Sequence, residues 1–201
     1  MDTIGAQVGP VWSSDGRGNG HIYIRCIWAG GGENVGVQSY TINDLAPPTT
    51  GVDVVHYTGA AGQGIDPWLA AAGLAQNPPI VYADTLPGIA YSVFKFSTSA
   101  LTAPPTIKAV FKGLKLIDPN NPGDPATWSD NAGWALYNYL TQSWGENVTV
   151  SGGGAVADRC AELVGTAPNQ EARCRIGLTL SQRQPAEQWR ETLRTYAECF
   201  V

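Results

Sequence analysis

Charged residues are scarce in this chain, and positive charges are the scarcer kind. Only 14% of the 201 residues are charged, and 12 lysines and arginines stand against 17 aspartates and glutamates, a net charge of −5. Soluble domains usually carry about 25% charged residues. Because non-specific binding to nucleic acid depends on clustered Lys and Arg, the composition argues against a nucleic-acid-binding protein. Scarce charge also leaves neutral surface, which large assemblies can bury.

Long apolar runs are missing as well. No stretch approaches the roughly 18 apolar residues that span a bilayer, so the sequence predicts no membrane-spanning helix. The first residues include an acid, Asp2, where a secretory signal would carry Lys or Arg. We therefore expect synthesis in a reducing cytoplasm.

The few cysteines do not form a familiar pattern. None belongs to a C-x-x-C pair or has a histidine nearby, so the sequence predicts no zinc site. Buried thiols are the favoured interpretation and a disulfide is the alternative. The four positions are Cys26, Cys160, Cys174 and Cys199.

Residues with catalytic chemistry are also few. His21 and His56 fall in predicted strands, outside any Ser-His-Asp, Cys-His or His-Glu-x-x-His pattern, and no G-x-S-x-G elbow occurs. The glycine-rich stretches 15–20 and 59–64 lack the Gly-Lys-Ser/Thr of a phosphate loop. The turn 118–124 offers oxygen ligands for a cation but lacks the distal Glu of an EF-hand. We predict no catalytic, cofactor or metal site, and a protein that is not an enzyme.

The chain is rich in turn-forming residues, with 24 glycines and 14 prolines. In its first part, such residues separate stretches of alternating apolar and polar residues. Between His21 and Trp28, apolar residues alternate as in a half-buried strand. Glycines 30–32 and a return strand at 35–42 predict an antiparallel hairpin. A short helix is predicted after Asp66, which is an N-cap residue followed by Pro. Further strands are predicted at 52–57, 89–96 and 106–117.

A run of turn residues at 118–125 separates this part from one with helical spacing. Helices are predicted at 130–144, 156–164 and 185–200, and a strand at 173–180. The predicted buried faces are Trp134, Tyr137, Leu140 and Thr141 in the first helix, and Trp189, Leu193, Tyr196 and Phe200 in the last.

Together these patterns predict an α+β fold with two domains. Residues 1–117 form a β-rich domain of antiparallel strands, sandwich-like or barrel-like, and residues 118–201 form a smaller mixed α+β domain. An apolar triplet ends the chain, so we expect the native polypeptide to continue beyond Val201.

Seven tryptophans are the remaining conspicuous feature. Trp28 is among those on predicted apolar faces, where core packing is expected. Trp68, Trp128 and Trp144 lie in loops or at helix ends and are candidate interface anchors, with packing as the alternative for each.

Two stretches carry a family resemblance. Residues 110–119 and 128–140 resemble a pattern in tail-tip proteins of long-tailed bacteriophages, a family that includes the lambda-like host-specificity protein, baseplate hubs and gene transfer agent equivalents. There, G-x-K-(V/L)-x-D-P is followed by W-S-x-N-P-A, a helix and D-Y-L. Here Gly133 stands where a Pro-Ala step is more usual, and Asn138 replaces the common Asp. The matching residues are Gly113, Asp118, Pro119, Trp128, Ser129, Asp130, Asn131, Tyr139 and Leu140.

The resemblance implies a structural protein of the virion tail, made in the host bacterial cytoplasm. It would be a homotrimeric hub that closes the distal tail tube, contacts the distal tail and tail-tube proteins, and carries the central fibre. No catalytic residue comes with the pattern, and family members are much longer than this chain. Two alternatives stay open: a carbohydrate- or receptor-binding module of a tail fibre, suggested by aromatic residues in glycine-rich loops, and a cell-wall hydrolase.

Overall fold

The chain forms two compact units, Met1–Leu114 and Lys115–Val201. The predicted domain limit after residue 117 lies three residues beyond this division, and continuation past Val201 stays a prediction. The computed structural model describes residues 2–4, 6–7, 12–13, 20–98, 103–143, 145–178 and 185–197.

The first unit is built mainly of antiparallel strands. Its elements are β1 (Asp2–Ile4), β2 (Ala6–Gln7), β3 (Trp12–Ser13), β4 (His21–Ala29), β5 (Asn34–Ile42), β6 (Val52–Tyr57), α1 (Pro67–Leu74), β7 (Ala90–Ser97) and β8 (Ile107–Leu114). A five-stranded sheet has the order β2-β4-β7-β6, with β3 also paired to β4, and a three-stranded sheet has the order β1-β8-β5. Neither sheet closes on itself among the described strands, so the α+β, β-rich prediction is confirmed in its open, sandwich form.

The two sheets enclose an apolar core between them. Every second residue of β4 points inward, as its alternation predicts, and meets the inner faces of β7 and β8. The buried side chains are Ile24, Cys26, Trp28, Phe94, Phe96, Ile107 and Ala109.

The other face of the five-stranded sheet is covered by α1 and the segment after it. The opposite set of β4 and β7 residues, Tyr23, Tyr91 and Val93, packs there with Leu69 and Ala72 of α1. Both faces of the sheet are therefore covered, and six of the eight residues of its central strand β7 are buried.

The predicted hairpin between β4 and β5 is wrong. Strand β4 pairs with β7, whereas β5 pairs with β8 in the other sheet. Gly31 and Gly32 both have positive φ, 97° and 148°, and take the chain across the sandwich instead of reversing it within one sheet.

The second unit packs three helices around a small core. Its elements are α2 (Ala132–Thr141), α3 (Gly153–Ala161), β9 (Leu163–Val164), β10 (Glu171–Ala172) and α4 (Ala186–Tyr196). The buried members of this core are Ala132, Leu136, Tyr139, Cys160, Cys174, Leu193 and Ala197. Within the described ranges, no helix is long and apolar enough to cross a membrane.

Two element predictions in this unit need correction. The helix predicted at 156–164 spans Gly153–Ala161 and is followed by the short strand β9. The strand predicted at 173–180 is irregular through residue 178, apart from a bridge at Arg175, and residues 179–180 lie outside the described ones. The reason is that Cys174 N bonds Cys160 O while Ile176 N bonds Asp130 O, so the segment is tied to two different elements.

The predicted buried faces of α2 and α4 are partly wrong. Trp134, Tyr137 and Thr141 are only half-buried, whereas small residues of α2 such as Ala132 face inward. In α4, Leu193 is buried as predicted, but Tyr196 is 44% exposed and Ala197 takes the inward place. The large residues that α2 does bury are Leu136 and Tyr139. Phe200 lies outside the described residues.

Candidate functional site

The motif residues of the second unit begin with a self-bonded turn. Asp118 Oδ1 accepts from Asn120 N at 2.9 Å, and its Oδ2 accepts from Asn121 Nδ2 at 3.1 Å. Asn120 Nδ2 in turn donates to Asp158 Oδ1 of α3 at 2.8 Å. The Asp118 bonds close the turn, and the Asn120–Asp158 bond holds it against α3. Nowhere in the described ranges do three or more His, Cys, Asp or Glu side chains form a group that could hold a metal ion.

Asn131 caps α2 and joins it to α3. Its Oδ1 accepts from Gly133 N at 2.8 Å and from Trp134 N at 3.2 Å, which satisfies two of the unbonded amides at a helix start. Its Nδ2 donates to Ala157 O at 2.9 Å. Just before it, Ser129 Oγ accepts from the Asn131 amide at 3.1 Å. One side chain thus fixes both the start of α2 and its contact with α3.

Asn138 binds the incoming segment to the middle of α2. Its side chain is 1% exposed. Its Oδ1 accepts from Ile117 N at 2.9 Å, and its Nδ2 donates to Ile117 O at 2.8 Å and Trp134 O at 2.9 Å. An aspartate would lack both donated bonds. An asparagine at this position is therefore matched to two carbonyl acceptors.

The remaining motif residues complete this corner. Tyr139 is buried and its hydroxyl donates to Ala186 O at the start of α4, at 3.0 Å. Leu140 packs against the core of the unit, and Asp130 O accepts from Ile176 N at 2.8 Å. We call the set Asp118, Ser129, Asp130, Asn131, Asn138, Tyr139 and Leu140 the motif corner.

Three motif residues stand apart from these bonds. Pro119 lies within the Asp118 turn. Trp128 is 39% exposed. Gly113 lies in β8 of the first unit, where an added Cβ would meet nothing within 4 Å, so packing does not explain the glycine.

Gly133 lies where α2 approaches α3 closely. A Cβ at this position would lie 2.8 Å from both Cα and N of Ala157 in α3. The backbones of α2 and α3 touch here, and only glycine fits between them.

The candidate interface tryptophans have different environments. Trp68 is half-buried; its ring centroid lies 6.2 Å from that of Tyr23, and Lys95 Nζ lies 5.4 Å from it. Trp128 is exposed, as an interface anchor must be before assembly, and Trp144 lies outside the described residues. The interface role stays a prediction for all three.

An exposed apolar patch at the end of α1 escaped the sequence-based prediction. Leu74, Ile80 and Val81 are 60%, 45% and 78% exposed, and the bond from Ile80 N to Gly73 O places residues 80 and 81 beside the end of α1. We call these three residues the α1 patch. The signal that marks it is the absence of any charged residue from position 67 to 83.

One histidine does lie beside a hydroxyl. His56 Nδ1 is 2.6 Å from Ser92 Oγ, the distance of a nucleophile and its base. Ser92 is completely buried, so a substrate cannot reach its oxygen.

The neighbouring Cys26 is buried too, and burial raises the pKa of its thiol to about 12. Cys160 and Cys174 are buried, as the thiol interpretation expects, and Cys199 lies outside the described residues.

Comparison with known proteins finds a likeness to solved structures and none to a described family. No protein-family model matches the chain, and no curated protein matches it. A chain of the solved structure "Virion of native gene transfer agent (GTA) particle" is similar, with a TM-score of 0.44 and 18% identity. The likeness covers 80% of this chain and 38% of that chain, so this chain spans well under half of its length. A functional proposal must therefore rest on the residues themselves.

Proposed function

We propose that this chain is a structural component of a phage-like particle, and that it acts at the tail tip as a hub closing the distal tail tube. The observation that carries the proposal is the bonding of the motif corner. Asn131, Asn138 and Tyr139 use their polar atoms mainly on backbone groups of neighbouring elements. A motif used in this way holds a shape and leaves no polar group directed at a substrate. This is the behaviour expected of an assembly protein, and the proposal includes that the chain is not an enzyme.

The neutral surface of the first unit also supports assembly. The α1 patch is apolar, free of nearby charge in the sequence and held by a capped helix: Asp66 Oδ1 accepts from Leu69 N at 2.8 Å. A rigid apolar surface binds a partner at low entropic cost. In this proposal the partners are further copies of the chain in a homotrimer, the distal tail and tail-tube proteins, and the central fibre.

The direct test is peptide mass spectrometry of purified particles from an induced culture of the source cell. We expect peptides of this chain at a few copies per particle. Recovery of the peptides only from the particle-free soluble fraction would remove the structural assignment.

A pair of charge variants tests the surface. Val81→Asp places a carboxylate in the α1 patch, whereas Thr50→Asp adds the same charge at an exposed site outside it. We expect Val81→Asp to reduce incorporation into particles and Thr50→Asp to leave it unchanged, with circular dichroism confirming that both variants fold. Equal incorporation of the two variants would exclude the α1 patch as an assembly surface.

The alternative, a carbohydrate- or receptor-binding module, finds less support at Trp68. Sugars stack on an open aromatic face, but Lys95 lies over this ring. Titration of the protein with cell-surface polysaccharide distinguishes the two proposals: quenched tryptophan emission favours the binding module, and unchanged emission favours the hub.

A further inference from the structure

A polar row crosses the inner face of the five-stranded sheet. Cys26, Ser92 and His56 lie opposite one another on β4, β7 and β6. Trp28 Nε1 donates to Ser92 Oγ at 2.7 Å, and His56 Nδ1 lies 2.6 Å from the same oxygen. Ser92 is fully buried, whereas His56 is exposed on β6, which is an edge strand. One hydroxyl therefore connects a core tryptophan to an edge histidine.

The donors and acceptors fix where the protons are. An indole nitrogen can only donate, so Ser92 Oγ is the acceptor for Trp28. The serine keeps one proton of its own, and His56 Nδ1 is the acceptor within reach. Neutral His56 must then carry its proton on Nε2. A protonated His56 would carry a proton on Nδ1 as well, and the Ser92 hydroxyl would lose this acceptor.

The surroundings of His56 contain no compensating anion among the strands packed against it. Tyr40 of β5 contacts the imidazole edge-on, with ring centroids 5.9 Å apart, and Cys26 of β4 lies further along the row. Burial raises the pKa of both Tyr40 and Cys26, so both are neutral near pH 7. On β6 itself, Asp53 is paired with Lys95. Desolvation lowers the pKa of His56 below its ordinary 6.5.

We propose that His56 is a pH-sensitive contact that holds edge strand β6 to the sandwich interior: as neutral imidazole it accepts the Ser92 proton, and protonation loosens the β6–β7 pairing. A proton from solvent can reach His56 without unfolding of the protein, because His56 is exposed whereas Ser92 is buried. The sign follows from linkage. The unfolded state takes up a proton near pH 6.5, before the folded state does, so stability is complete above that pH and falls as the pH drops.

Nuclear magnetic resonance of the whole chain tests the proposal. We expect His56 to be the Nε2–H tautomer near neutral pH and to titrate below its ordinary 6.5. Protection of the β6 amides from hydrogen exchange, corrected for intrinsic exchange, should fall between about pH 7.5 and about pH 5. The fall should be up to about tenfold for each unit by which the pKa of His56 is lowered. Protection of the β8 amides should change less. An Nδ1–H tautomer, or titration at 6.5 or above, would overturn the proposal.

Matched variants separate this contact from general acid sensitivity. His56→Gln keeps a side-chain acceptor and cannot titrate, so its β6 protection should no longer depend on His56 ionisation, whereas His21→Gln should behave as the original protein does. An equal loss of β6 protection in both variants would contradict the proposal. If His56→Gln fails to fold, the tautomer and titration in the unaltered chain decide the question.

Discussion

In the first unit, two buried side chains accept hydrogen bonds from other side chains, although Asn34 and Asp66 also bond backbone groups. Trp28 donates to Ser92, and Tyr57 donates to Asp66 Oδ2 at 2.8 Å. In the second unit, Asn138 and Asn131 bond mainly backbone groups. The cause is architectural. Long paired strands satisfy their own amides and carbonyls, whereas short helices joined by irregular segments leave such groups open.

This difference predicts how each unit responds to substitution of its polar side chains. Side chains that bond side chains can be replaced by an apolar pair of similar shape, because both partners leave together. Side chains that bond backbone cannot, because the backbone group remains and stays unpaired. The two units should therefore differ in their tolerance of isosteric substitution, and the following variants test that difference from the largest expected effect to the smallest.

Asn138→Asp should be the most damaging substitution. It keeps the shape of the side chain but puts carboxylate oxygen against Ile117 O and Trp134 O, which now accept from Nδ2. We expect a loss of about 3 to 5 kcal/mol of unfolding free energy, as for an uncompensated buried charge. Chemical denaturation measures it, with the exposed Asn169→Asp as the control. A loss equal to that of the control would mean that backbone bonding by Asn138 does not hold the corner.

Gly133→Ala should rank next. In an ordinary helix this change adds stability of about 1 kcal/mol. Here the new Cβ would overlap the backbone of Ala157, so we expect a net loss of about 2 kcal/mol from overpacking. Gly177→Ala is the control, because an added Cβ there meets nothing within 4 Å. If thermal unfolding shows Gly133→Ala to be stabilising, the helices can move apart and the close contact is not required.

Local signals predicted much of this architecture. The alternation of β4 predicted which residues share each face, but the predicted half-buried strand did not include the cover that α1 places on the second face. Asp66 predicted the start of α1, because a helix cap depends on residues close in sequence, and the helix predicted from residue 130 begins at Ala132. The partner of β4 was not predictable in this way. Gly30–Gly32 is compatible with a hairpin or a crossing, and only the distant β7 and β8 decide between them.

The candidate site shows the same limit. The helix start was predicted only to lie near residue 130, and the structure assigns the cap to Asn131. A polar residue in mid-helix is normally exposed, so the burial of Asn138 depends on the Ile117 segment that meets it. The inward faces of α2 and α4 were partly misassigned because helical spacing alone does not show which stripe of residues meets the core: α2 buries Leu136 and Tyr139, and Ala197 is buried just after α4. The α1 patch is visible only once Ile80 is known to lie beside Gly73.

Two stacked tyrosines give a matched pair in the first unit. The ring centroids of Tyr57 and Tyr91 are 4.5 Å apart. The Tyr57 hydroxyl donates to Asp66, whereas the buried Tyr91 hydroxyl has no hydrogen-bond partner among the residues that the structure describes. Tyr57→Phe should therefore cost about 1.5 kcal/mol, and Tyr91→Phe should be neutral or stabilising. Equilibrium unfolding of both variants checks this. A larger loss for Tyr91→Phe would show that its hydroxyl has a partner, and side-chain pairing in this unit would be more extensive than described.

Ionisation of the same two tyrosines should have the smallest effect on stability near neutral pH. This effect grows as the pH rises. Desolvation raises the pKa of Tyr57 and Tyr91 well above the ordinary value of 10.0, and the Asp66 carboxylate raises that of Tyr57 further. Unfolded tyrosines lose their protons near that value first, so stability is complete below it and falls as the pH rises further. Phenolate absorbance should therefore rise in a steep step that coincides with loss of circular dichroism, and Tyr57→Phe should make that step smaller. Smooth ionisation of every tyrosine with the fold intact would mean that hydroxide reaches this cluster, and that its burial is weaker than that of the backbone-bonded corner of the second unit.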